Sequence, residues 1–435
     1  MYKIPIIPYM YVCNKYLIHD RLYAVRMSWK GDDDSCVNMT TASGRAVVLL
    51  VSLFVALSSA APSLRSTAGI FEGDDTAWLQ AALANLTATG GVLTLEPRQY
   101  NITSTIAVPD RVTLQGAGFS TILFASRAFT ETVVTLNFES GLRDIQFDQE
   151  QPDFATENWA PYEYDFTVRI QADKVTVLNI LLLRAYQGIA VVPAAADECL
   201  GQVQLFNIRA HPFLTGLLID GAADVVHVQQ LHFCPLGGPA PQPVLDWTAN
   251  FGTAIVSKRN DNPIFSQVFV ISYKVGLLFA ASDSAGGCSG ITSKPKVSQF
   301  DCDFCAQSGV KVEGDDVRGV ELSQFSFQGA NAYALDGIAL WVVGNGVTVT
   351  VAQADWTLCG SNCLRVDGSN AAAVITGSLV RSWNVNAAAA FPALEAPGDG
   401  SQVVVDAGFY GDGTSGADFA GSSVLVGATV LHADI

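Results

Sequence analysis

From residue 170 onward one short element keeps returning: a small residue followed by alternating apolar side chains. It reads Gly188-Ile-Ala-Val, Gly216-Leu-Leu-Ile, Gly252-Thr-Ala-Ile, Gly276-Leu-Leu-Phe, Gly309-Val-Lys-Val and Gly337-Ile-Ala-Leu, and Cys363-Leu-Arg-Val continues it at intervals of 24 to 36 residues. Runs with strand alternation precede it, such as Val175-Thr-Val-Leu-Asn-Ile and Val203-Gln-Leu-Phe-Asn-Ile. A unit this short cannot bury its inner face alone. Stacked copies can, and that requirement predicts a β-solenoid. A β-sandwich also has short strands but needs no recurrent Gly-apolar element. The glycines are read as tight corners that take positive φ. Uneven intervals mean that loops of different length leave the same corners; the longest clear one lies between Phe233 and Gly252 and is rich in Pro and Gly.

Composition narrows the partners. The 435 residues are 49% hydrophobic and only 15% charged, which excludes a disordered chain. The formal charge is −17, from 24 Lys plus Arg against 41 Asp plus Glu, so a nucleic-acid surface is not expected. The apolar run 46–57 follows Arg45 and ends in Ser58-Ser-Ala-Ala61. It reads as a signal peptide over 39–61, starting at Met39, with 1–38 an upstream extension and 62–435 the mature domain. A signal anchor is the competing reading. A secreted protein with no membrane attachment after cleavage follows, as monomer or homo-oligomer. Asn85 and Asn101 open glycosylation triplets. Seven Cys follow the signal, an odd number, so at least one is free or pairs between chains. Cys302-Asp-Phe-Cys305 has redox or zinc spacing, but no second such pair accompanies it. Cys359 and Cys363 bracket a turn and are expected to form a local disulfide.

The segment Gly73-Asp-Asp-Thr-Ala-Trp-Leu-Gln-Ala-Ala-Leu-Ala-Asn85 predicts a capped amphipathic helix presenting Trp78, Leu79, Ala82, Leu83 and Leu86 on one face. Such a helix shields the open end of a solenoid. With Gly90-Gly-Val-Leu-Thr-Leu-Glu-Pro97, Tyr100 and Val112-Thr-Leu-Gln-Gly-Ala-Gly118, it resembles the opening of the pectate lyase superfamily, in particular the rhamnogalacturonase and epimerase-like pectate lyase branch. Arg98 stands where that family usually has Gly. The resemblance implies an all-β, right-handed parallel β-helix with a short N-terminal capping helix. It also implies polysaccharide as the partner, often acidic, without fixing an active site.

Candidate chemistry lies on outward columns. Counting from each Gly puts Glu313, Trp341 and Asp367 in one column and Lys311 and Arg365 in its neighbour. Glu313 and Asp367, about 10 Å apart with Trp341 between them, suit inverting glycoside hydrolysis. Trp341 would stack on a sugar, and Lys311 and Arg365 would hold a uronate. The competing reading is a solvated face of Glu–Lys and Asp–Arg pairs. Polygalacturonases share the fold, and Ala334-Leu-Asp336-Gly-Ile338 resembles their first catalytic element, which adds Asp336 to the catalytic set. Ser361-Asn-Cys-Leu364 stands at their second element without its carboxylates, and their His and Lys elements have no counterpart. A lyase instead needs a base and a cation, so Asp301, Asp303 and Asp355 form a candidate Ca²⁺ cluster. Trp159, Tyr162 and Tyr164 are a candidate binding wall, and His211, His227 and His232 read as coil residues. The expected function is a polysaccharide lyase or inverting hydrolase. A non-catalytic carbohydrate-binding or cell-surface adhesion protein is the alternative.

Overall fold

The computed structural model describes residues 63–65 and 73–433, apart from 157, 196, 235–240, 284–286, 330–335, 386–390, 412–418, 421–423 and 427–429. The expected extension and signal peptide, 1–61, lie outside the described residues. Where they are described, the chain winds into stacked coils. Eighteen strands form one long sheet and twelve a second, and neighbouring strands pair in parallel from coil to coil. Inward side chains make one continuous apolar core along the stack, including the ladder Phe300, Phe325 and Trp356 with centroids 5.5 and 5.7 Å apart.

Each coil has a third side because the strands of the long sheet bend at one residue. That residue is Asp144, Asn179, Asn207, Gln230, Gln267, Gln299, Gln324 and Gln353 in successive coils, all with φ between 52° and 58°, and then Gly377. The left-handed conformation turns the strand without breaking its register, so Asn207 still lies beside Asn179 and Gln230. Asn and Asp tolerate this region through local hydrogen bonding. Here the bonds run between coils: the Asn179 amide donates to Asp144 at 2.7 Å, and the Asn207 amide to Asn179 at 3.0 Å.

The repeating glycines serve a different purpose from the one expected. Register aligns Gly188, Gly216, Ala254, Gly276, Gly309, Ala339 and Cys363, so Gly252 and Gly337 each fall two residues before the column. Of the six glycines, only Gly337 has positive φ. The column needs smallness instead. A Cβ on Gly188 would stand 2.1 Å from the Gly216 carbonyl oxygen, and one on Gly216 would stand 2.3 Å from the Phe233 ring.

The expected helix forms as α1 (Thr76–Ala84), with Leu79 and Leu83 buried, but the Asp75 side chain makes no capping bond to it. It covers the edge strand Ile106–Val108. The Gln80 amide substitutes there for a missing strand, donating to the Ala107 carbonyl at 3.1 Å and accepting from the Ala107 N–H at 2.9 Å. Asp75 likewise accepts from the Asn101 N–H at 2.9 Å and pairs with Arg98 at 2.7 Å. Unpaired strand edges are thus closed before solvent or another chain reaches them. A second helix, α2 (Gln242–Phe251), stands in the long insertion.

Candidate functional site

The strands Ser308–Val312, Ile338–Val342 and Leu364–Val366 bring the expected groups to one face, with a change of column. Lys311, Trp341 and Arg365 are direct neighbours, followed by Glu395. Because Ala339, not Gly337, aligns with Gly309, Val343 rather than Trp341 separates Glu313 from Asp367. The groups satisfy one another. Lys311 is paired with Glu313 and sits 4.4 Å from the Trp341 ring centre. The Trp341 indole donates to Asp367 at 2.7 Å, and Arg365 bonds Asp367 at 2.9 Å and Glu395 at 3.4 Å. Two of the three carboxylates expected to be catalytic, Glu313 and Asp367, therefore already hold cations, and both cations expected to bind substrate, Lys311 and Arg365, already hold carboxylates. Asp336 stands apart. It is exposed just before the strand begins, and its carbonyl accepts from Ser361. Gly337, in the left-handed conformation, turns the chain between Asp336 and the strand that carries Trp341. Asn362, in the second polygalacturonase-like element, is buried and donates to the Pro392 carbonyl at 2.7 Å.

A different column carries groups with altered acidity. On the strand Lys296–Asp303, Phe300 and Cys302 point inward, so Asp301 and Asp303 point out together, about 6.7 Å apart by strand rise. Neighbouring coils continue the row as Arg209, His232, Phe269, Asp301, Ser326 and Asp355. His232 meets Phe269 edge to face at 5.0 Å, and burial followed by the nearby Arg209 charge lowers its imidazole from the usual range. Burial raises the Asp301 carboxyl. Burial and then the Asp301 charge raise Asp303 to about 6. Among the described residues no Lys or Arg forms an ion pair with either acid. Burial favours the protonated form of both, and the Asp301 charge favours it further at Asp303, as a general acid requires.

Asp355 shares the row but not the cluster. It lies two coils from Asp301 and pairs with Arg381 at 2.8 Å. Among the described residues no three acidic, His or Cys side chains converge as metal ligands, so the expected Ca²⁺ cluster is not assembled. Cys359–Cys363 is a disulfide, as expected. Cys302–Cys305 is one too, instead of a redox or zinc pair, and Cys199–Cys288 is a third; Cys234 is outside them. Asn85 is exposed at the end of α1, and Asn101 is partly exposed. The expected wall is mostly interior: Trp159 and Tyr164 are buried, and Tyr162 lies beneath Arg127 at 4.2 Å. The weakened acidity of Asp301 and Asp303 left no mark in the sequence, where they were legible only as members of a candidate carboxylate cluster.

No family model matches the chain, and neither does any curated protein. Solved structures do. The catalytic domain of a GH87 alpha-1,3-glucanase, in complex with tetrasaccharides, matches with a TM-score of 0.52 at 11% identity, over 87% of this chain and 69% of that one. The catalytic unit of a thermostable GH87 alpha-1,3-glucanase from Streptomyces thermodiastaticus matches at 0.48 and 16%, over 84% and 71%. The A-module of the mannuronan C-5 epimerase AlgE6 from Azotobacter vinelandii matches at 0.45 and 13%, over 83% and 96%. At these identities the likeness is one of fold: the right-handed, pectin-lyase-like parallel β-helix.

Proposed function

We propose that the chain is a secreted, carbohydrate-active protein that hydrolyses a polysaccharide laid along the outer face of the β-helix, with Asp301 and Asp303 as its acid–base pair. One observation carries the reading: two outward carboxyls on one strand, both raised above the ordinary range, with Phe269 beside Asp301 on the neighbouring coil and His232 one coil beyond. Their positions, about 6.7 Å apart by backbone rise, put two carboxyls on one outer face, the pairing that glycoside hydrolysis uses. A uronate lyase would need a cation beside its base, and among the described residues no Lys or Arg pairs with these acids. The neighbouring fold that holds tetrasaccharides supports a glycan substrate. Three disulfides support an oxidising, extracellular setting.

The full chain, expressed in a secreting host and recovered from the medium, is assayed on a polysaccharide panel for new reducing ends and for absorbance near 235 nm. Reducing ends without absorbance are expected. Activity should fall as pH rises through about 6, where Asp303 loses its proton, and Asp303→Asn should lower turnover at least about 100-fold. Absorbance at 235 nm would instead establish elimination and overturn hydrolysis. A second reading, a binding or adhesion protein without turnover, is favoured by the closed ion-pair network around Asp367. Retention on a polysaccharide without any product would establish it.

A further inference from the structure

The two longest described connections leaving the long sheet for the short one meet outside the coil. The first is the segment 150–165 and the second carries α2, and three coils separate their origins. They reach each other across two tight corners, 184–186 and 211–214. Trp159 contacts Phe213 at 5.2 Å and Trp247 at 6.3 Å, both edge to face. Trp247 in turn lies 4.5 Å from Phe251, a ring left 55% exposed. Between them opens a cleft of about 310 Å³ lined by Asn158, Trp159, Asp246, Trp247, Asn250 and Phe251, with Pro243 at its side. That volume is at the lower end of the roughly 300–1,000 Å³ usual for small-molecule sites.

We infer that this cleft is a distal sugar-binding subsite for an uncharged hexose unit, an inference that takes its polysaccharide from the reading above. The lining combines what pyranose recognition needs. The exposed Phe251 ring, with the half-buried Trp247 beside it, meets the C–H face of the ring, while amides and a carboxylate meet its hydroxyls. Asp246 accepts one bond from Gln242 at 2.7 Å. The Trp247 indole N–H is buried with no acceptor among the described residues. Charge selects the class of sugar. Among the described residues the lining holds one carboxylate and no cation, on a chain of net charge −17, so a uronate would be repelled. The cleft opens at the same edge of the helix as Asp301 and Asp303. It begins two coils from them at α2 and five at Trp159, about 10 and 24 Å at roughly 4.8 Å per coil. One glycan chain running parallel to the helix axis reaches both.

The test is native electrophoresis of the full chain through gels containing soluble glucan, mannan or galactan, or polygalacturonate or alginate. Retardation by at least one neutral polymer and by neither acidic one is expected. Phe251→Ala, which removes a mostly exposed ring, should weaken it about three- to tenfold with unchanged circular dichroism, and Asn250→Ala should weaken it as well. Lack of retardation by every neutral polymer overturns the inference, as does retardation indifferent to both substitutions or confined to acidic polymers. Asp303→Asn separates the two proposals. If hydrolysis persists in that variant, the acid–base assignment falls, while the cleft stands or falls on the retardation results for wild type, Phe251→Ala and Asn250→Ala.

Discussion

His211 is 7% exposed, with the rings of Phe213 and Tyr273 both 6.0 Å away, and burial pushes its imidazole down to about 4. The unfolded chain takes up that proton near 6.5. Between 6.5 and 4 the unfolded state therefore binds more protons, and stability must fall as the pH drops through this window. The effect is on the order of 3 kcal/mol when complete. Asp303 works in the opposite sense over an overlapping range. Its folded value is raised from 3.8 to about 6, so the folded state binds the extra proton, and stability falls as pH rises from 4 to 6. The two slopes partly cancel in the wild type. Thermal melts of His211→Phe from pH 7 to 4 should lose less stability on acidification than wild-type melts do. An identical pH slope would show that His211 is protonated without penalty. None of this was legible in the sequence, where His211 is simply a residue before a proline. Acidity depends on the packing of three coils, and adjacent residues do not report it.

At the scale of the element, the fold was legible and its corners were not. The Gly-apolar repeat correctly located the short-sheet strands, because inward apolar residues must recur once per coil. It misassigned what the small residues do, since a column selected for close approach between coils looks, in sequence, like one selected for positive φ. The true left-handed positions are filled mostly by Asn and Gln, which in a strand read as ordinary outward polar residues. This distinction predicts opposite outcomes at two kinds of site. Gln324 is exposed at φ 53°, so Gln324→Gly should be neutral or stabilise by up to about 1 kcal/mol, whereas Gln324→Val should destabilise by about 1–2 kcal/mol. Gly188→Ala needs no unusual φ yet should destabilise by about 1–3 kcal/mol, because its Cβ meets a backbone carbonyl in the next coil. Urea midpoints for the three variants decide it. If Gly188→Ala proves neutral, the account of the small column fails.

Over the whole molecule, a stack of coils is quasi-one-dimensional: each coil touches its neighbours, and cooperativity spreads only through those interfaces. Cys199–Cys288 departs from that scheme. It joins the connection after Gln187–Val191 to the one after Val275–Phe279, three coils along the short sheet, across 89 residues of sequence. Loop entropy alone assigns such a crosslink about 4–5 kcal/mol, against about 2 kcal/mol for Cys302–Cys305, which closes only three residues. The long crosslink also spans the coils whose corners carry α2 and the Trp159 contact with Phe213, so it holds in register the parts that form the aromatic cleft. Replacing Cys199 and Cys288 together by Ser should therefore lower the urea midpoint more than replacing Cys302 and Cys305. It should also broaden the transition, because the coils on either side are freed to open separately. A smaller m-value with Trp fluorescence changing before circular dichroism is the expected signature, as Trp159 and Trp247 report the cleft. A coincident, equally steep transition in both double variants would mean that the stacked core alone makes the molecule cooperative.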